Sequence, residues 1–287
     1  MQYFSDLFKY PILLHALYAS MLASAACGVL GAYVVARRSS YMVGAVSHSL
    51  LGGIGLARFC QAVLGLAFFT PMCGAVMASL VVSAVITAMS ANGKGRVDAI
   101  LSAIWTVGVA IGVCFVAAIP GYAEDLNSYL FGNIMLVSGA DLRFMAALDA
   151  FILPAAWLFH SRLVAYCFHE EGLELRGVST FGISLLLNVL VGLAVVLLSQ
   201  TVGIVMVLAL MVLPAATAAR ISRRLHWIML MGAFLCFLAC LAGMAISYAK
   251  DWPSGAVIIL VTAIAYAIVA TAAWCAARLR ARRVERF

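Results

Sequence analysis

The sequence predicts an all-α, polytopic membrane protein with about eight to nine transmembrane helices. Two observations carry this prediction: 66% of the 287 residues are hydrophobic and only 10% are charged, and the mean hydropathy is +1.11. About a quarter of the residues of a soluble domain are charged, so these few charges are too sparse to surround a water-soluble core. The composition therefore excludes a soluble enzyme, a nucleic-acid-binding domain and a disordered chain. We interpret the net charge of +7 as the excess of Lys and Arg that membrane proteins carry in their cytoplasmic loops.

Nine apolar runs are candidates for membrane-spanning segments. They cover residues 12–36, 41–57, 62–91, 98–119, 142–164, 179–199, 202–221, 226–249 and 254–277. The run 41–57 is short and rich in Gly and Ser, so eight spans are the alternative to nine. Since no linker or low-complexity stretch divides the chain, one transmembrane domain over residues 1–287 is expected.

The basic residues indicate which side of the membrane each connection occupies, because Lys and Arg accumulate in cytoplasmic loops. With nine spans, the N-terminus outside and the C-terminus inside, 14 of the 18 basic residues fall on the inner side. The four left outside are Lys9, Arg58, Arg143 and Lys250. This alternation places Lys94 and Arg96 inside, and Asp125 and Trp252 outside.

Two connecting segments are longer than turns. Residues 120–141 start with acidic residues and become amphipathic, which predicts an outer loop with a short helix at the membrane surface. Residues 165–178 are polar and cytoplasmic by the charge count, with helix-forming sequence between Phe168 and Arg176. Such a segment suits docking of a partner, and an ordinary solvated loop fits it equally well.

The chain carries no nucleotide-binding loop. Residues 92–95 contain a Gly-Lys pair, but an upstream Gly at the required offset and a following Ser or Thr are both missing. We therefore expect that this polypeptide does not itself hydrolyse ATP and that it is not an enzyme.

Polar residues inside apolar segments are functional candidates, since hydrocarbon makes them costly. His48 lies among glycines in the second segment, Asp149 lies in the fifth and Asn188 in the sixth. Imidazole is a good ligand for borderline divalent metals, but a hydrogen bond to a neighbouring helix explains His48 as well. Pairing with another helix, or snorkelling to the outer surface, is the alternative for Asp149.

A further candidate is the segment 203–224, which reads as a long apolar helix broken at Leu213-Pro214. Proline removes a backbone hydrogen bond and kinks a helix, and the small residues that follow it permit close helix crossing. Pro214 is accordingly a candidate gating kink, and a purely structural kink is the alternative.

Together and in this order, these segments resemble the permease family of ATP-binding-cassette importers for zinc, manganese and iron. The resemblance covers essentially the whole chain. It is carried by Gly28–Gly31 through Arg37-Arg38 and Ser47-His48, by 126–142, by 168–177, by 202–224 with its Leu-Pro-Ala-Ala core, and by 252–256.

The resemblance implies a compact helical bundle of the metal-importer type and three kinds of partner. These are a cytoplasmic ATPase that binds ATP, an extracytoplasmic metal-binding protein, and a second permease copy, identical or related. It also makes the loop 165–178 the ATPase-docking loop, with Phe168, Glu170, Glu171 and Gly177 as the contact residues.

The resemblance makes His48 the metal-contacting residue. The family usually carries an acidic residue four positions before this histidine, but this chain has Gly44 there. Asp149 is a conjectural substitute from another helix.

The function expected from these points is the membrane-spanning permease subunit of an ATP-driven importer of divalent metal ions, with zinc first and manganese or iron next. The expected location is the bacterial inner membrane. No covalently bound cofactor is expected, because the metal is the cargo. Import of a chelated metal and a secondary metal transporter remain alternatives.

Overall fold

The computed structural model describes residues 9–92, 97–119, 132, 134–201, 203–204 and 207–284, and these residues form helices and short connections without a strand. The α-helices, numbered in chain order, are α1 Pro11–Arg37, α2 Ser40–Leu64, α3 Pro71–Asn92, α4 Val97–Ala117, α5 Gly139–Leu158, α6 His160–Phe168, α7 Glu170–Leu175, α8 Thr180–Thr201, α9 Val207–Ile221, α10 Leu225–Lys250 and α11 Ser254–Val284.

Each of the nine predicted apolar runs contains a helix. Fewer than nine of the described helices, however, are long enough to cross a membrane. Among the described helices, seven are long and apolar enough to cross a membrane, or eight if α5 and α6 form one bent span. Helix α9 has only 15 residues, which at 1.5 Å per residue falls short of a bilayer core of about 30 Å. The described helices therefore give seven or eight spans. The run that falls short is 202–221, whereas 41–57 lies in a helix that is long enough to cross.

The second segment is the one that the sequence most underestimated. Its helix α2 runs for 25 residues, from Ser40 to Leu64, and ends at Gly65 with a φ of 67°. The first three residues of the predicted run 62–91 thus belong to α2. Hydropathy alone missed this boundary because the turn after Gly65 is itself apolar.

Helices α1, α2 and α8 form the interior, whereas α4 and α11 lie mainly at the periphery. Helix α1 packs against α5, α8, α9 and α10. Glycines allow these contacts: the backbone carbonyl of Met211 in α9 lies against Gly31, and Ala233 of α10 lies against Gly28. Small residues at helix crossings are how membrane helices gain van der Waals contact in a solvent as apolar as their own side chains.

Helix α2 approaches both of its neighbours at backbone distance. A Cβ atom on Gly55 would lie 2.7 Å from the carbonyl oxygen of Gly112 in α4. On another face, Gly53 of α2 and Gly74 of α3 touch through their backbones. Helix α2 is therefore held between α3 and α4.

The outer segment 120–141 differs from its prediction where it is described. Residues 120–131 and 133 lie outside the described residues, as do Lys94, Arg96 and Asp125. Ile134–Leu136 form a 3₁₀ helix whose Ile134 is fully buried, and this turn packs on α1 and α11. This part of the segment is therefore a packed turn, followed by a capping box between Ser138 and Asp141 that begins α5.

The helix is not interrupted at Leu213-Pro214, and the gating kink at Pro214 stays a prediction. Helix α9 passes through the buried Pro214 without interruption and ends at Ile221, and the Thr217 hydroxyl donates to the Leu213 carbonyl at 2.7 Å. A sharp bend lies between α5 and α6, whose axes differ by 69°.

We expect Gly53→Ala to lower the free energy of unfolding by about 1–3 kcal/mol, the usual cost of overpacking. The added methyl group would meet the Gly74 backbone and, at 2.6 Å, the Cβ of Ala78. Gly182→Ala in α8 is the matched control, since a Cβ there meets nothing within 4 Å. Thermal unfolding of both purified variants in one detergent measures the difference, and equal midpoints would contradict the close α2–α3 contact.

Candidate metal pathway and docking loop

His48 lies near the middle of α2 and is partly exposed. Its imidazole stacks on the indole of Trp105 in α4, with ring centroids 4.1 Å apart and planes inclined by 14°. The flanking Ser47 and Ser49 hydroxyls donate to carbonyls of their own helix at 2.7 Å. The helix therefore satisfies its serines internally, and the imidazole is the polar group of this turn that faces a neighbouring helix.

Gly44, one turn before His48, faces the same indole. A Cβ at position 44 would lie 2.6 Å from Cζ3 of Trp105. The space that a side chain at position 44 would need is therefore filled by Trp105. A larger side chain at position 44, where the resembling family usually has an acidic residue, would require the indole of Trp105 to move.

Asp149 lies in a different part of the bundle. It is 3% exposed, and neither carboxylate oxygen has a hydrogen-bond partner among the described residues. Its helix α5 packs mainly on α1 and α8, whereas α2 packs on α3 and α4. The burial rules out snorkelling to the surface, and the helix contacts do not bring Asp149 beside His48.

Asn188 has a structural role. Its side-chain nitrogen donates to Thr87 Oγ1 at 2.8 Å, and its backbone oxygen accepts from the Ser83 hydroxyl at 2.9 Å. These bonds join α8 to α3 inside the bundle, as interhelical polar contacts commonly do in membranes.

The described residues of one chain do not form a complete metal site. No group of three or more His, Cys, Asp or Glu side chains within them is placed to hold a metal ion. A metal site at His48 therefore needs additional ligands from outside the described residues of this chain.

The predicted docking loop folds as expected around a short helix. Helix α6 ends at Phe168, α7 covers Glu170–Leu175, and the chain turns at Gly177 with a φ of 72°. This φ is in the left-handed region that favours glycine. Phe168 and Leu175 are exposed, Leu175 by 90%, so the loop presents an apolar as well as an acidic surface.

The docking loop is attached to the end of α1 through Arg37. The Arg37 Nη2 lies 3.3 Å from Glu170 Oε2, and its guanidinium carbon lies 3.6 Å from the ring centroid of Tyr166. One turn earlier, the buried hydroxyl of Tyr33 is 2.6 Å from His160 Nδ1 at the start of α6. We call Tyr33, Arg37, His160, Tyr166 and Glu170 the α1 clamp.

The sequence analysis did not predict the roles of three residues at these sites. Trp105 reads as one more aromatic residue in an apolar segment, and its contact with His48 joins residues 57 positions apart. Arg37 was interpreted as a topology signal and as part of the family resemblance, but its pairing with Glu170 was not expected. The exposed Leu175 had no distinguishing signal, because Leu173 in the same short helix is also apolar.

The helices of membrane-spanning length define a multi-pass membrane protein. The chain belongs to the ABC 3 transport family, whose model matches residues 9–273, and it is a permease of the metal-importer type.

Several relatives extend this assignment. A Chlamydia pneumoniae protein named "Probable metal transport system membrane protein" is 36% identical, with 91% of this chain and 89% of that protein covered. The manganese transport system membrane protein MntC of Halalkalibacterium halodurans is 31% identical, with 93% and 89% covered. Among solved structures, PsaBC from Streptococcus pneumoniae in complex with Fab matches with a TM-score of 0.81 at 26% identity, with 93% and 94% covered.

Glu170→Lys should release the docking loop from α1, because it places two cations together. A partly exposed ion pair contributes up to about 1 kcal/mol, so maleimide labelling of Cys167 should rise by about two- to fivefold. The Cys167 thiol lies 3.9 Å from the Tyr33 carbonyl, inside the α1 clamp. Labelling is measured with the other seven cysteines replaced.

Arg37→Glu combined with Glu170→Lys should return the labelling rate to the starting value. Glu171→Lys, the adjacent exposed carboxylate, is the control and should change little. Equal labelling in Glu170→Lys and Glu171→Lys would show that the Arg37–Glu170 pair does not hold the loop.

Proposed function

We propose that this permease conducts a divalent metal ion, zinc in the first place, along a path on which His48 is a direct ligand. The observation that carries the proposal is a partly exposed imidazole on α2, a glycine-rich helix, in a chain of the ABC 3 transport family. A bare ion cannot cross hydrocarbon, so it needs exchangeable ligands along its way.

Ligand chemistry favours zinc. Imidazole suits zinc, whereas carboxylate and water oxygens suit manganese. With Gly44 in place of an acid, the turn around His48 offers nitrogen and no carboxylate oxygen. Two copies related by a dimer axis would present two imidazoles to one ion, which agrees with the incomplete ligand set within the described residues of one chain.

Manganese is the second candidate, and a specific observation favours it: the Halalkalibacterium halodurans relative is named as a manganese transport protein. Competition between the two ions during uptake separates the candidates. Excess unlabelled zinc should suppress import of either ion more strongly than excess manganese does.

Three partners belong to the proposal: a cytoplasmic ATPase, an extracytoplasmic metal-binding protein and a second permease copy. The docking loop 165–178 is the contact for the ATPase. Support comes from its exposed apolar residues Phe168 and Leu175, and from an adjacent open groove of about 760 Å³ between α6, α7 and α8. Glu171 remains available for this contact, while Glu170 is shared with Arg37.

His48→Ala should abolish metal uptake without lowering the amount of protein in the membrane, because it removes the imidazole ligand. His226→Ala is the matched control, since His226 is an exposed histidine at the start of α10. Uptake of radioactive zinc by cells with the complete import system measures both. Normal import by His48→Ala would make His48 a packing residue and direct the search for the ion path to Asp149.

Leu175→Asp should weaken binding of the ATPase and reduce uptake at least about tenfold, the effect expected when a charge enters an apolar contact. Folding should not change, because the side chain is 90% exposed. Leu175→Met keeps the apolar contact and serves as the control. Co-purification of the ATPase with each permease variant is the measurement. Equal recovery with both variants would remove Leu175 from the docking surface.

A further inference from the structure

Trp105 fills a niche on α2 that is formed by Gly44 and His48. Its six-membered ring lies over Gly44, where an added Cβ would meet Cζ3, Cε3 and Cη2 at 2.6, 3.3 and 3.4 Å. The same indole stacks on the imidazole one turn later. A single side chain of α4 therefore covers one turn of the helix that carries the proposed ligand.

This stacking covers one face of the imidazole and sets the plane of the ring. Each ring nitrogen binds a metal through a lone pair in the ring plane, and Trp105 covers a face rather than the edge. His48 stays partly exposed despite this contact. The face of an indole also attracts positive charge, so it favours an imidazole that holds a cation.

The niche also restricts the ligands that can accompany His48. With the indole in place, any side chain at position 44 would overlap Trp105. Trp105 and an acidic residue at position 44 are therefore alternative occupants of one volume. One of them supplies an aromatic face, and the other supplies a carboxylate oxygen.

We infer that Trp105 is a positioning and specificity-determining residue of the ion path, which orients the imidazole of His48 for coordination and excludes an oxygen ligand from position 44. The inference rests on the proposed role of His48. It adds that the choice between nitrogen-preferring and oxygen-preferring ions is set by a residue of α4 that does not itself bind the metal.

The first test is the kinetics of zinc uptake by cells with the complete import system. Trp105→Leu keeps an apolar side chain but removes the aromatic face, and it should raise KM about two- to tenfold with little change in maximal rate. Trp105→Phe should stay near the starting KM. Trp157→Leu, at an 81% exposed tryptophan of α5, is the matched control. An unchanged KM in Trp105→Leu, at normal protein level, overturns the inference.

The second test exchanges the occupants of the niche. Gly44→Asp alone should lower the thermal stability and uptake, because the new side chain collides with the indole. Gly44→Asp combined with Trp105→Ala should recover stability and shift the preference of uptake towards manganese. A Gly44→Asp variant as stable and as active as the starting protein contradicts the shared volume.

A third measurement keeps Trp105 and so does not depend on how its variants fold. The full-length permease with Trp105 as the only one of its five tryptophans, the others changed to Phe, is titrated with zinc sulfate. Zinc should change the fluorescence of Trp105, and His48→Ala should remove that change. An unaltered emission at saturating zinc overturns the inference.

The results also separate this inference from the proposed function. If His48→Ala blocks uptake while Trp105→Leu has a normal KM, only the role of Trp105 fails. If His48→Ala imports zinc normally, the proposed function itself fails.

Discussion

The close approach of α2 to its neighbours is the constraint on which the rest of the candidate site depends. Hydrocarbon does not push apolar helices together, so helix association in a membrane relies on close packing of small residues. Gly53 meets α3 and Gly55 meets α4 at backbone distance. This spacing brings α4 near enough for Trp105 to lie flat on His48. A bulkier α2 would move the indole away and leave the imidazole free to turn.

Hydropathy and charge predicted the helical class and the order of the segments correctly, because both depend on composition within one segment. They could not report how far each helix continues or where it bends. Pro214 predicted a break in α9, yet the helix continues through it, and the 69° bend lies at the junction of α5 and α6. Local sequence shows where a backbone hydrogen bond is lost, whereas packing determines whether the helix ends there.

The candidate site was predictable to a similar degree. His48 could be identified as a candidate because a polar residue in an apolar segment is visible in the sequence. The predicted docking loop and its Gly177 turn could be identified in the same way. The residues that contact them could not be identified, because they come from distant parts of the chain. Trp105 contacts His48 across 57 positions, and Glu170 pairs with Arg37 across 133. Spacing along a helix carries no information about such contacts, so the packing of Trp105 against Gly44 became visible only in the fold.

The α1 clamp links the two ends of the proposed mechanism. Arg37 is the last residue of α1, and only Arg38 and Ser39 separate it from α2. Arg38 has a φ of 59°, so the chain reverses there in a tight left-handed turn. His48 lies eight residues into α2, about 12 Å along the helix axis from Ser40. Glu170 and Tyr166 both contact Arg37, so the predicted docking loop lies against the turn from which the His48 helix starts. The predicted docking loop and the helix that carries the proposed ligand are therefore neighbours through the turn between α1 and α2.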